Sequence, residues 1–231
     1  MSVPFYVPPE QLTKEKAEFA RKGIARGRPP IVLEYTGGIL FVAENPSTHL
    51  HKVAELYDRI GFAAVGRFSE FENLRQAGVR LADIRGYAYG REDVTSRSIA
   101  NAYSQTLGQI FVQEFKPYEV ELCVAEVGTD GAPNALYHVV FDGNVFDRKG
   151  WLAMGGQAED VNSELQRGFD ENLDLDAALQ LAMRALRQAA PAGETGNSRL
   201  EVALLERDRP RRSFRRLSQE DVESRAGSPA S

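Results

Sequence analysis

The sequence has little cysteine and no long apolar segment. Its 231 residues include one cysteine, Cys123, which has no partner for an intramolecular disulfide and cannot form a thiolate zinc cluster alone. No run approaches the roughly 20 apolar residues of a membrane-spanning helix, and no basic segment followed by an apolar one begins the chain. These absences predict a protein that is neither exported nor inserted in a membrane, with the cytoplasm as its location.

An excess of positive charge is also missing. Lys and Arg number 28 against 33 Asp and Glu, so the net charge of −5 disfavours nucleic acid as a partner. Residues 207–216 depart from this balance, because they hold six arginines and one aspartate. Phe214 is the only aromatic residue there, so arginines that pair with acidic faces or neighbouring subunits explain the segment better than nucleic-acid binding. We therefore interpret it as a candidate protein interface.

The motifs of several common active sites are absent. The sequence contains no phosphate-binding loop of the Walker type, no Gly-x-Gly-x-x-Gly after a strand and no Gly-x-Ser-x-Gly elbow. His49, His51 and His138 have no accompanying motif of metal ligands, so we predict no metal and no cofactor. Cys123 lies within alternating apolar residues, which favours a buried, inert thiol over a nucleophile.

Composition divides the chain into one domain with two flexible ends. Residues 1–9 contain three prolines and no periodicity, which predicts an arm that is mobile or ordered by a partner. Residues 10–26 have apolar positions at helical spacing and predict a leading amphipathic helix. Residues 218–231 lack aromatic side chains and predict a flexible tail, so the domain spans 10–217.

Within the domain, the hydrophobic period changes several times. Four segments of strand composition come first, and two helices follow them: strands at 31–35, 39–45, 51–58 and 60–66, helices at 71–87 and 99–111. A hairpin follows, with strands at 118–124 and 135–142 joined through Asp130-Gly131. A strand at 151–156, a helix at 175–186 and two closing strands at 200–206 and 213–217 complete the pattern. This order predicts an α+β fold with two stacked antiparallel sheets between helix layers.

Several strings of residues resemble the α-subunit family of the 20S proteasome, of the actinobacterial type. The resemblance covers roughly residues 8–217, and these strings carry it: 18–26, 38–47, 52–66, 85–89, 116–127 and 209–212. It implies a four-layer αββα sandwich, the fold of the N-terminal nucleophile hydrolases. It also implies a subunit of a threonine-type endopeptidase complex that is not itself an enzyme.

In catalytic relatives the nucleophile is the first residue of the mature chain and directly begins the first strand, because its free α-amine is the base. Here the strand near Ile31 follows Arg28-Pro29-Pro30 and a helix, so no Thr, Ser or Cys has a free amine at that point. Lys52 and Glu44 match the positions of an active-site lysine and an acidic residue, but they lack a nucleophile. The alternative that stays open is a stand-alone N-terminal nucleophile peptidase or amidase that becomes active after processing.

The resemblance further implies a docking pocket for the C-terminal carboxylate of a ring ATPase. Lys52 would meet that carboxylate, Gly66 would let the incoming backbone approach, and Arg21 would lie near the pocket. Two alternatives remain, namely that Lys52 only pairs with a nearby carboxylate such as Glu44 or Glu55, and that Gly66 only ends its strand.

The assembly implied by the resemblance is a ring of seven copies. Two such rings would cap two rings of β subunits, giving fourteen α and fourteen β subunits in four stacked rings. The ATPase would deliver proteins tagged with a prokaryotic ubiquitin-like protein. The N-terminal arms would gate the axial pore with these residues: Ser2, Val3, Pro4, Phe5, Tyr6, Val7 and Pro8.

Overall fold

The computed structural model describes residues 8–189 and 199–227. Two five-stranded antiparallel sheets pack face to face. Sheet one has the strand order β10-β9-β2-β1-β8, and sheet two has the order β3-β4-β5-β6-β7. The strands of sheet one are β1 (Pro30–Tyr35), β2 (Gly38–Glu44), β8 (Trp151–Ala153), β9 (Leu200–Glu206) and β10 (Phe214–Arg216). Those of sheet two are β3 (Val53–Tyr57), β4 (Ile60–Gly66), β5 (Val120–Glu126), β6 (Ala135–Val140) and β7 (Val145–Arg148).

Helices cover the outer face of each sheet. Two of them, α4 (Ala158–Gly168) and α5 (Leu175–Ala189), pack on sheet one, while α2 (Phe68–Ala88) and α3 (Ser96–Gln113) pack on sheet two. The alternation of the strands sends one set of apolar side chains towards the helices and the other into the interface between the sheets. The predicted four-layer αββα sandwich is therefore confirmed.

The leading helix α1 (Pro9–Ile24) lies outside the four layers. Proline is tolerated in the first turn, because the backbone N–H that it lacks would have no acceptor within the helix there. The basic residues of the last turn interact favourably with the negative end of the helix dipole. Only Ala20 and Ile24 are buried, and they join the core between the sheets. Lys16 Nζ donates to the carbonyls of Phe111 and Glu114, at 3.0 and 2.7 Å, at the C-terminal end of α3. These contacts fix α1 across one end of the sandwich.

Two segments differ from the sequence prediction. Residues 218–231 are predicted to be flexible, but residues 219–226 form helix α6 (Gln219–Ala226), because Ser218 and Asp221 make a reciprocal capping box and Val222 is buried. The predicted strand 151–156 ends at Ala153, because Gly155 (φ +92°) and Gln157 (φ +62°) turn the chain into α4. Helix α4 and the short strand β7 are absent from the sequence prediction.

The ends of the chain are described only in part. Residues 1–7 of the predicted arm, including the gate positions from Ser2 to Val7, lie outside the described residues. Pro8 is exposed at the start of α1. No helix within 8–189 or 199–227 is long and apolar enough to cross a membrane.

Candidate functional site

The site is centred on the segment that joins α1 to β1. This segment runs from Ala25 to Pro29, and the first residue of β1 is Pro30, which is held in an ordinary peptide bond behind a full helix. The Pro30 carbonyl accepts a hydrogen bond from Met154 N at 3.3 Å. The head of the first strand, where a catalytic relative would expose its nucleophile, therefore carries neither a hydroxyl or thiol side chain nor a free amine.

Glycines let the joining segment lie directly against the ends of the strands. A Cβ on Gly27 would come 2.4 Å from Val65 Cγ2, and one on Gly156 would come 2.1 Å from the Ala25 carbonyl oxygen. Gly156 N donates to the Gly27 carbonyl at 3.2 Å. A larger residue at position 156 would press on the backbone of Ala25, and one at position 27 on the Val65 side chain, so the glycines allow the close path of the chain between α1 and β1.

Lys52 immediately precedes β3 and reaches this joining segment. Its Nζ donates to the Arg28 carbonyl at 2.9 Å, and its own carbonyl accepts from Ala64 N of β4 at 3.0 Å. Burial lowers the pKa of Lys52 to about 8, although the carboxylates of Glu201 and Glu44 oppose the shift. Among residues 8–189 and 199–227 no carboxylate pairs directly with the ammonium, which is only partly compensated, so an incoming carboxylate would strengthen its charged form.

Glu201 on β9 supports the backbone around Lys52. It is 8% exposed, and it accepts hydrogen bonds from Lys52 N at 3.0 Å and from Val53 N at 3.3 Å. The same carboxylate also binds side chains: Asn45 Nδ2, His51 Nδ1 and an Arg216 guanidinium N–H. The buried charge is therefore paired and hydrogen-bonded, and it fixes the position at which β3 begins.

The carboxylates suggested by the sequence as partners of Lys52 bind arginines instead. Glu44 Oε2 accepts from Arg28 Nη1 at 3.0 Å, while Glu55 binds Arg212. Glu55 is therefore wrong as a partner of Lys52, and Glu44 acts on it only through its field. Sequence reasoning missed Glu201, because nothing in Leu-Glu-Val-Ala-Leu-Leu-Glu tells which glutamate is buried.

Gly66 and Arg21 lie in different surroundings. Gly66 has φ +114°, and a Cβ there would come 1.8 Å from the Glu119 carbonyl oxygen, so the position requires glycine. A Cβ on Gly27 would lie 3.4 Å from Gly66 N, so Gly66 is adjacent to the same joining segment that Lys52 contacts. Arg21 instead lies with its guanidinium 5.6 Å from the Phe141 ring centroid, and no contact joins it to Lys52. The structure therefore groups Lys52 with Gly66 but not with Arg21 within one subunit.

A second charge network lies beneath α1. Glu119 binds Arg67 Nε at 3.0 Å and Lys116 Nζ at 2.9 Å, while Glu70 accepts from Glu119 N at 2.7 Å. A Cβ on Gly23 would come 2.1 Å from Glu119 Oε1, so α1 sits directly on this carboxylate. The network couples the leading helix to the strand end that carries Gly66.

The sequence also offered a cysteine and possible metal ligands as candidates. Cys123 is fully buried, and burial raises the pKa of its thiol well above the usual range. Within the described parts of the chain, no group of three or more His, Cys, Asp or Glu residues could hold a metal ion.

Comparisons with known proteins show the family of the chain. The sequence model of the proteasome subunit family matches residues 26–205. A proteasome subunit alpha of Geodermatophilus obscurus is 56% identical over 226 residues, covering 94% of this chain and 79% of the relative. One from Saccharopolyspora erythraea is 56% identical over 219 residues (94% and 86%), and one from Xylanimonas cellulosilytica is 57% identical over 226 residues (94% and 93%). The chain belongs to the proteasome subunit family, and its similarity is to the α subunits of actinobacteria.

Proposed function

We propose that this chain is a non-catalytic α subunit of the 20S core particle, which forms seven-membered outer rings that cap rings of catalytic β subunits. The observation that carries the proposal is the helix α1 in front of β1, with Pro30 at the head of the strand. An N-terminal nucleophile cannot occupy that position without removal of the whole helix. The same fold therefore serves here as a scaffold and an entrance rather than as a protease.

Lys52 and Gly66 are proposed to receive the C-terminal carboxylate of a proteasome-activating ring ATPase, with Arg21 contributing where two subunits meet. The half-buried Lys52 ammonium is held just before β3 and, in the part of the chain that the structure describes, has no carboxylate within hydrogen-bonding distance. A charge-assisted hydrogen bond to a desolvated carboxylate contributes about 1.5 to 3 kcal/mol, which suits a docking contact. The ATPase would supply tagged proteins for degradation.

The N-terminal arm is proposed to gate the axial pore. Pro8 directly precedes α1, which begins at Pro9, and the position of this helix would aim seven converging arms at the ring axis. Val3, Phe5, Tyr6 and Val7 would then crowd the pore with apolar side chains and exclude folded proteins.

The docking proposal is tested with Lys52→Ala in assembled particles. We expect normal assembly and basal peptide hydrolysis but loss of activation by the ATPase, because the variant removes the cation without touching the particle's β subunits. Lys14→Ala is the matched control, since Lys14 is an exposed lysine of α1 with no ion pair among the described residues. Activation of the Lys52 variant at the wild-type level would refute the pocket assignment.

The non-catalytic role is tested on the chain alone. We expect the purified chain to retain its N-terminal helix by intact mass and to hydrolyse no peptide. Peptidase activity together with a mass that reveals processing to a new N-terminal Thr, Ser or Cys would instead establish a self-contained enzyme.

A further inference from the structure

The buried carboxylate of Glu201 is fully occupied by hydrogen-bond donors. Five donors from the described residues surround it: Lys52 N, Val53 N, Asn45 Nδ2, His51 Nδ1 and an Arg216 guanidinium N–H. Because an ionised carboxylate can only accept, the His51 ring carries a proton on Nδ1. An ionised carboxylate offers about four lone-pair sites, so these donors leave no acceptor site open on Glu201.

The loop between β2 and β3 is folded around the same carboxylate. Asn45 donates to Glu201 Oε2 at 2.8 Å, and its own Oδ1 accepts from Ser47 N at 3.1 Å. Ser47 Oγ in turn accepts from Leu50 N at 3.0 Å. The residues that lead to Lys52 therefore follow a fixed path, and that path ends on Glu201.

Arg216 ties the outer strand β10 to this point. One of its guanidinium N–H groups donates to Glu201, and another donates to the Val53 carbonyl at 2.8 Å. Strands β10 and β3 each lie at the end of a sheet, so the arginine bridges the two sheets at one edge of the sandwich. Its positive charge also compensates the buried negative charge of Glu201.

The Lys52 ammonium is influenced by the charge of Glu201 but is hydrogen-bonded elsewhere. Its Nζ donates to the Arg28 carbonyl at 2.9 Å. Burial lowers the pKa of Lys52 to about 8, and among the charged groups Glu201 opposes that shift most strongly; Glu44 also raises the pKa, whereas Arg28 lowers it. Since other donors occupy Glu201, this carboxylate supports the positive charge of the lysine without binding the ammonium itself.

We propose that Glu201 is a positioning residue of the docking site, which holds the backbone of Lys52 and favours the charged ammonium while leaving that ammonium for an incoming peptide carboxylate. Arg216 assists because it keeps the Glu201 carboxylate occupied. This inference rests on the docking role proposed for Lys52 and assigns the groups that prepare the lysine for its ligand. A free carboxylate that was not occupied would instead bind the ammonium and compete with the ligand.

The test measures how the affinity of a docking peptide depends on pH. The probe is a synthetic peptide of the last ten residues of the cognate ATPase, and it is titrated against particles assembled from the full chain and its β subunit. Wild-type affinity should decrease above about pH 8, where Lys52 loses its proton. The same peptide with a C-terminal amide is measured in parallel, because it keeps every contact except that of the carboxylate.

Glu201→Gln keeps the size of the side chain and removes its charge. We expect the decrease in affinity to begin about one pH unit lower than in wild type, because the pKa of Lys52 falls when the nearby negative charge is lost. The ratio of wild-type to variant affinity should therefore increase about fourfold between pH 6.5 and pH 8. A role in folding alone would lower the affinity by the same factor at both pH values.

Arg216→Met should change the pH dependence in the opposite direction. The variant opens an acceptor site on Glu201, which the Lys52 ammonium can then occupy. The affinity at pH 6.5 should fall at least about threefold, and the alkaline decrease should begin at a higher pH than in wild type. The Arg216 side chain is 34% exposed on an edge strand, so this variant decides the question if Glu201→Gln does not assemble.

Controls separate this inference from the proposed function. Glu223→Gln, on an exposed position of α6, should follow the wild-type curve. Histidine side chains titrate near neutral pH, so each protein is also measured with His51→Asn, whose amide can still donate to Glu201. A pH dependence equal to that of wild type in either assembled variant, Glu201→Gln or Arg216→Met, would overturn the inference. Absence of peptide binding to the wild-type particle, or unchanged binding to Lys52→Ala, would instead refute the docking function.

Discussion

The buried charge of Lys52 should destabilise the folded chain, and replacing the lysine with methionine should reveal this. Burial lowers its pKa from 10.5 to about 8, a shift equivalent to about 3 kcal/mol against the charged form. Lys52→Met keeps the length of the side chain and removes the charge. At pH 7 we therefore expect the variant chain to have a free energy of unfolding up to about 3 kcal/mol higher than wild type, less about 1 kcal/mol for the lost hydrogen bond to Arg28.

The stability difference between Lys52→Met and the wild-type chain should decrease as the pH rises. A lysine whose folded pKa is lowered carries its full penalty below pH 8, and the penalty is relieved as pH rises from about 8 towards 10.5, because the folded chain releases its proton first. The advantage of Lys52→Met should thus shrink by about 2 kcal/mol between pH 7 and pH 9.5. Urea unfolding of both chains at the two pH values measures it. A variant that is less stable at pH 7, or an advantage that grows with pH, would refute the reasoning.

Three further changes should have local effects. Deleting residues 2–8 should raise peptide hydrolysis by the assembled particle; an unchanged rate would argue against a gate formed by the arm. Gly66→Ala should destabilise the chain by at least about 2 kcal/mol in urea unfolding, because its Cβ would meet the Glu119 carbonyl at φ +114°; a loss below about 0.5 kcal/mol would contradict the geometry. Ser218→Ala should lower stability by about 1 kcal/mol and speed amide exchange across α6, whereas unaltered exchange would show that the cap with Asp221 is dispensable.

The layered fold could be predicted because most of its elements have a clear hydrophobic period. Strands β1 to β6 and helices α2, α3 and α5 repeat apolar residues every second or every third to fourth position. Helix α4 has only Val161 and Leu165 as buried residues and follows two glycines, so its period is too weak to detect. Helix α6 depends on a cap and on one buried side chain, Val222, and its burial is a property of the tertiary structure.

The candidate site could be predicted only in part. The positions of Lys52 and Gly66 follow from resemblance, but the surroundings of Lys52 depend on residues distant in sequence. Glu201 is 149 residues away from it, and the joining segment at Arg28 is 24 residues away. A buried glutamate and an exposed one look identical in a strand sequence, so the carboxylate beside Lys52 could not be foreseen; nor could the burial that lowers the pKa of Lys52. The placement of Arg21 against Phe141 also depends on tertiary packing.

The docking role proposed for Lys52 would oppose stability within the same fold. An apolar residue at position 52 would stabilise the subunit, whereas a docking pocket needs a cation that is poorly compensated before its ligand arrives. The glycines around the joining segment fix that cation in place by bringing the backbone of α1 and β1 onto the strand ends. The buried charge of Lys52 thus lowers the free energy of unfolding, and the packing of the surrounding core compensates for it.

The central claim, a scaffold and gate subunit rather than an enzyme, is tested most directly by native mass spectrometry combined with a peptidase assay. The chain is measured alone and after assembly with its cognate β subunit. The account predicts no activity for the chain alone and activity in a particle with fourteen copies of each subunit. Peptide hydrolysis by the chain alone, with a trimmed N-terminus, would contradict it.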